Sequence, residues 1–85
     1  MRIDSLRAWL EVCATRIDLA AAMSQAGVRH VAERWLAEAE MGYAAVLRFV
    51  TDPRYRMGDD DRRELAGALE RLRKRLDAAW GSLSG

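Results

Sequence analysis

Apolar side chains recur every three or four positions in three separate stretches, each bounded by a turn signal. In the first, Ile3, Leu6, Leu10, Cys13, Ile17, Ala20, Ser24 and Gly27 advance by alternating steps of three and four. That spacing is a heptad seam, and it predicts a helix over residues 3–25. Asp4, Arg7, Glu11, Thr15, Asp18 and Gln25 take the opposite, polar face. Trp9, Val12, Leu19 and Met23 widen the apolar stripe on one flank, with Arg16 set inside the widened edge. Gly27 then punctuates the chain, so the next helix is expected to fold back as an antiparallel neighbour.

Residues 28–50 predict a second helix that carries two adjacent seams. One is Ala32, Leu36, Ala39, Tyr43, Val46 and Val50; the other is Trp35, Ala39, Gly42, Val46 and Phe49. A helix with two seams touches two neighbours and belongs at the centre. Ala39 and Gly42 leave room there for another helix to approach closely. Pro53 ends the element, because a residue before proline avoids the α region. The stretch 51–60 predicts a loop, followed by a helix over 61–80 in which Leu65, Leu69, Leu72, Leu76 and Ala79 form the seam. Asp61-x-x-Glu64 has the form of a capping box. Residues 81–85 predict a frayed tail. The expected fold is an all-α, up-down-up, antiparallel three-helix bundle with coiled-coil-like packing, one domain over residues 1–85.

Composition agrees with the pattern. Fifteen Ala and ten Leu stand against nine Val, Ile and Thr together, which favours helix over strand. A chain of 85 residues buries only about 60–65% of the surface that its unfolded form exposes. A second copy would therefore help it. Fourteen basic and thirteen acidic side chains leave a net charge of +1, which lends no global support to polyanion binding and does not oppose self-association. The single Cys13 has no internal disulfide partner, so a reducing, cytoplasmic location is expected. No signal peptide or membrane-spanning run is expected either, since Asp4 and Glu11 break the first apolar stretch.

Candidate chemistry is thin. His30 has Glu33 three residues on, but a bundle metal site needs further ligands that the chain does not supply. Cys13 lies in a core seam with no base at helical spacing, which fits a small buried hydrophobe. No catalytic residue, cofactor or metal is expected. The run Arg71, Arg73, Lys74 and Arg75 could serve a phosphate backbone or an acidic partner. It equally matches the negative end of its helix, whose start holds Asp59, Asp60, Asp61 and Glu64. The Arg54-Tyr55-Arg56 loop sets an aromatic between two cations. Trp9, Trp35 and Trp80 each flank a seam, where an indole can cap a core or anchor a partner.

Residues 19–39 place Leu19, Ala20, Met23, Gly27, Ala32, Leu36 and Ala39 at spacings that loosely resemble a tetratricopeptide helix pair. Arg16 and Ala44 stand where that repeat has Trp and Pro. Ile3-Asp4-Ser5-Leu6-Arg7 resembles the start of the three-helix chorismate mutases, without the rest of their charged pattern. Neither family is assigned. The expected function is a small, non-enzymatic protein–protein interaction module, self-associating or docking on a helical partner. Trp9, Arg16, Trp35, Tyr55, Arg71, Lys74 and Arg75 are its candidate contact residues. The alternative is a nucleic-acid-binding regulator that uses the basic stretch and the Arg54–Arg56 loop.

Overall fold

Gly27 and Pro53 divide the chain into three helices in the computed structural model, which describes residues 2–84. These are α1, Ile3–Gln25; α2, Arg29–Thr51; and α3, Asp59–Ser84. Gly27 closes α1 because it, alone among the described residues, takes a positive φ, 81°. The Gly27 N–H donates to the Ser24 carbonyl at 3.1 Å, and the Val28 N–H to the Met23 carbonyl at 2.9 Å. This Schellman pair satisfies carbonyls that the helix end would otherwise leave open.

Helix directions follow from which residues meet. Arg7 pairs with Glu64, and Asp18 with Arg75, each 57 positions apart, so α1 and α3 run parallel. Arg62 reaches Val50 and Arg73 reaches Glu40, numbers moving in opposite senses, so α2 runs antiparallel to α3. Up-down-up is the result. All three pairs of helices touch, and no strand occurs among the described residues.

The three predicted seams meet on the bundle axis. Leu6, Leu10, Cys13, Ile17 and Ala20 are buried from α1, and Ala32, Leu36, Ala39, Val46 and Val50 from α2. From α3 come Leu65, Leu69, Leu72, Leu76 and Leu83. No polar or charged side chain is buried among the described residues.

Three expectations need correction. The tail does not fray: α3 continues through Gly81 to Ser84. Leu83, one heptad after Leu76, is buried beside Ala20, Leu36 and Ala79. Its apolar burial outweighs the helix cost of about 1 kcal/mol for one glycine. Gly85 lies outside the described residues. The capping box does not form at Asp61 either, since α3 begins two residues earlier and the Gly58 carbonyl accepts from the Arg62 N–H at 2.9 Å. Asp61 sits in the first turn, and Glu64 is taken up by Arg7 on α1. Finally, α2 is shifted by one residue at each end, spanning Arg29–Thr51.

The loop between α2 and α3 is held by side chains. Asp52 accepts from the Arg54 N–H at 2.9 Å, forming the local turn that Pro53 demands. The Arg62 guanidinium donates to the Val50 carbonyl and, at 3.0 Å, to the Tyr55 carbonyl. It thereby satisfies a helix-end carbonyl of α2.

Candidate interaction surface

Each pair of helices leaves a groove on the bundle surface, and the three differ in chemistry. The α1/α3 groove is flanked by Arg7, Glu11, Glu64, Arg71 and Arg75. Arg7 grips Glu64 through two hydrogen bonds of 2.6 and 3.0 Å, and Asp4 and Asp61 lie at 3.1 and 3.6 Å. Arg75 donates to Asp18 at 2.5 Å. The α2/α3 groove carries Glu70, Arg73 and Lys74. Arg73 holds Glu40 in a fork of 2.8 and 2.5 Å, donates to Asp77 at 3.0 Å, and lies 5.1 Å from the centre of the Tyr43 ring. The Trp80 indole N–H donates to the same Glu40 at 3.3 Å. Ion pairs bridge the helices at both grooves, which are smaller open depressions of about 450 and 400 Å³ over apolar side chains, with Leu47 exposed at the second.

The α1/α2 groove is different. Trp9, Val12, Met41 and Ala45 line it, above a floor of Cys13 and Gly42, in an open depression of about 600 Å³. Only Arg16 and Glu38 bring charge to it, at one end, 3.7 Å apart. The floor is low because α1 and α2 come close there: a Cβ on Gly42 would stand 2.5 Å from the Cys13 sulfur. The rim is apolar and wet. Trp9 is 40% exposed, Val12 44% and Met41 73%, and Leu19, further along α1, is 38% exposed.

Electrostatics does not activate the one thiol at this surface. Burial pushes the Cys13 thiol up, with Arg16 pulling weakly the other way, so the sulfur stays protonated at neutral pH. Among the described residues no three His, Cys, Asp or Glu side chains are grouped as metal ligands. The perturbed carboxylates are all partners of arginine. Arg73 holds Glu40 below its ordinary range, chiefly through the hydrogen bond, and Arg7 does the same to Glu64. Arg54 lowers Asp52.

The residues proposed from the sequence fall in different places. Trp9 and Arg16 meet at the α1/α2 groove. Trp35 stands one heptad before Gly42 on α2, half-buried and packed on the core. Tyr55 is folded back, its ring edge-on to Phe49 at 5.1 Å and 66°. Arg75 is occupied by Asp18, while Arg71 and Lys74 stand exposed on α3. The structure does not bring these seven together. Met41 and Glu38 belong to the surface and are not legible as such in the sequence, because both lie off the α2 seams.

Compared with known proteins, the chain matches no family model, and no curated protein or solved structure is significantly similar to it.

The Arg73–Glu40–Trp80 cluster permits a direct check of the packing. A carboxyl that titrates low in the folded chain contributes stability above its unfolded pKa and loses it as pH falls through the folded value. Melting temperature should therefore drop as pH is taken from 7 to below about 4.3. Glu40→Gln should cost about 1 kcal/mol at pH 7 and flatten that decline. Thermal melts followed by circular dichroism across that range decide it. An unchanged profile in Glu40→Gln would show that the fork contributes nothing.

Proposed function

We propose that this chain is a small helical protein–protein interaction module that docks through its α1/α2 face. One observation carries the reading: Trp9, Val12 and Met41 are left exposed around a groove floored by Gly42, while arginine–carboxylate pairs bridge the helices at the other two grooves. Water-exposed apolar side chains gathered on one face have a partner to gain from, and Trp is the residue type that most often dominates such contacts. Small side chains beside them allow a helix to come close. A reducing, cytoplasmic setting belongs to the same proposal and rests on the free, buried Cys13. No helix among the described residues is long and apolar enough to cross a membrane.

The nucleic-acid alternative draws less support. Arg73 and Arg75 spend their guanidiniums on Glu40 and Asp18, which leaves Arg71 and Lys74 as the cations of that run outside an ion pair among the described residues. With Arg54 of the loop tied to Asp52, Arg56 adds one more exposed cation, and three cations release few counterions.

A photo-reactive amino acid placed at Met41, with a control at the exposed Glu70 on α3, tests the docking face. Irradiation in cells should give discrete adducts from position 41 and none from 70. Equal labelling from both positions, or none from 41, would remove the proposal.

A further inference from the structure

Resting on that docking face, we infer that its occupant is a second copy of this chain, packed with the two-fold axis running along the α1/α2 groove. The surface area is the first argument. A compact monomer of 9.6 kDa exposes about 5,100 Å². This chain exposes 5683 Å², about 600 Å² more. The molecule measures 43 × 19 × 16 Å, so its broad side is large enough for the roughly 800 Å² per partner of a standard interface.

The second argument is a seam that faces away from the core. Ser5, Ala8, Val12, Thr15, Leu19 and Ala22 advance by three and four along α1, and all six are exposed. None carries charge. A heptad of uncharged residues over five turns is the pattern that a helix partner covers, and α3 lies on the other side of α1. Met41 on α2 stands between Ala37 and Ala44, all three exposed, which gives a partner a projecting side chain among small ones.

Charge selects the second copy over a foreign helix. The groove's two charges are one cation on α1 and one anion on α2 at the same level, Arg16 and Glu38. Rotation by 180° about an axis along the groove lays α1 of one copy over α2 of the other, antiparallel. Each Arg16 then faces the second copy's Glu38, and each Met41 faces the second copy's Val12. The face is its own complement, as an isologous interface requires. The product is a four-helix layer, two α1/α2 pairs back to back, with an α3 on each outer side.

Light scattering coupled to size exclusion, over micromolar concentrations, reads the outcome. The wild-type mass should rise to about twice the 9.6 kDa of one chain. Met41→Glu should raise the dimer dissociation constant by at least about 30-fold while leaving helicity unchanged. Charge reversal tests the axis. Arg16→Glu alone sets two acids against each other across the interface, and Glu38→Arg alone sets two bases, so each should be monomeric. Mixed together, they should regain the dimer as a heterodimer. Failure of the mixture to reassociate overturns the two-fold arrangement. A mass fixed at 9.6 kDa for wild type overturns the second copy as occupant. It does so even where position 41 labels a foreign protein, a result that would keep the docking face and change what covers it.

Discussion

Leucine at Gly42 should destabilise the fold by about 2–3 kcal/mol and lower its melting temperature by roughly 10–20 °C. The Cβ alone would stand 2.5 Å from the Cys13 sulfur, a separation that real Cβ atoms do not show. Cys13 is 1% exposed and its sulfur hangs on a single rotatable bond, so a turn of that sulfur relieves a lone Cβ at most, and a whole leucine side chain at this close approach forces α1 and α2 apart. Gly42→Ala sharpens the test. Alanine gains about 1 kcal/mol of helix propensity over glycine, so the same clash is partly offset and the net loss should be small. Combined with Cys13→Ala the clash disappears, and Gly42→Ala should then stabilise its background by about 1 kcal/mol. A change of sign between the two backgrounds is the expected result in thermal melts. Should Gly42→Leu melt at or above the wild-type temperature, the helices do not approach closely at that point.

That close approach was readable in the amino-acid order, because glycine within a seam of larger residues has few other uses. The same holds for the three seams. Each inward step of three or four identifies which side of a helix water must leave, and Leu6, Leu36, Leu65 and Leu76 are buried as the spacing demands. The turn at Gly27 was readable for a local reason, since only glycine enters the left-handed region without strain.

What the order of residues hides is anything set by how one helix slides along another. Arg7 lies three residues from Asp4 and four from Glu11, either of which is a natural helical partner, yet its strongest bonds go to Glu64 on α3. Glu64 in turn reads as a capping residue until Arg7 takes it. Arg73, Lys74 and Arg75 look like one basic stripe in sequence. In the fold, 100° per residue turns Arg73 toward α2 and Arg75 toward α1, so the stripe splits into two cross-helix ties. The tail misled for a similar reason. Gly81, Ser82 and Ser84 are poor helix formers individually, and only the partner surface of Ala20 and Leu36 tells why Leu83 stays ordered.

These ties also explain why the candidate surface is where it is. An arginine–carboxylate fork at 32% exposure on both sides contributes about 1 kcal/mol at most, so it does little for total stability. Its larger effect is on access. A partner entering either of the other two grooves must desolvate the ion pairs that bridge them, whereas the α1/α2 groove offers Trp9, Val12 and Met41 with a single charge pair at its end.

Leu76→Ala separates the inner seam from this outer face. Leu76 is fully buried in α3, so its removal loses the transfer energy of the side chain and leaves a cavity, about 2–5 kcal/mol together. A chain of 85 residues has only about 4–13 kcal/mol of stability in all. The variant should therefore unfold at much lower urea, losing at least about a sixth of its margin and as much as all of it. Met41→Ala, at 73% exposure, removes a side chain of similar size with almost no inner contact and should change the unfolding free energy by less than about 0.5 kcal/mol in the monomer. Urea unfolding of both variants at low protein concentration makes the comparison, and repeating it at higher concentrations shows whether a dimer lends Met41 a stability that rises with concentration. Equal losses for the two would mean that the seam running through Leu65, Leu69, Leu72 and Leu76 is not where the bundle is held. A loss for Met41→Ala that grows with protein concentration, beside a constant loss for Leu76→Ala, would locate the two contacts on opposite sides of the same fold.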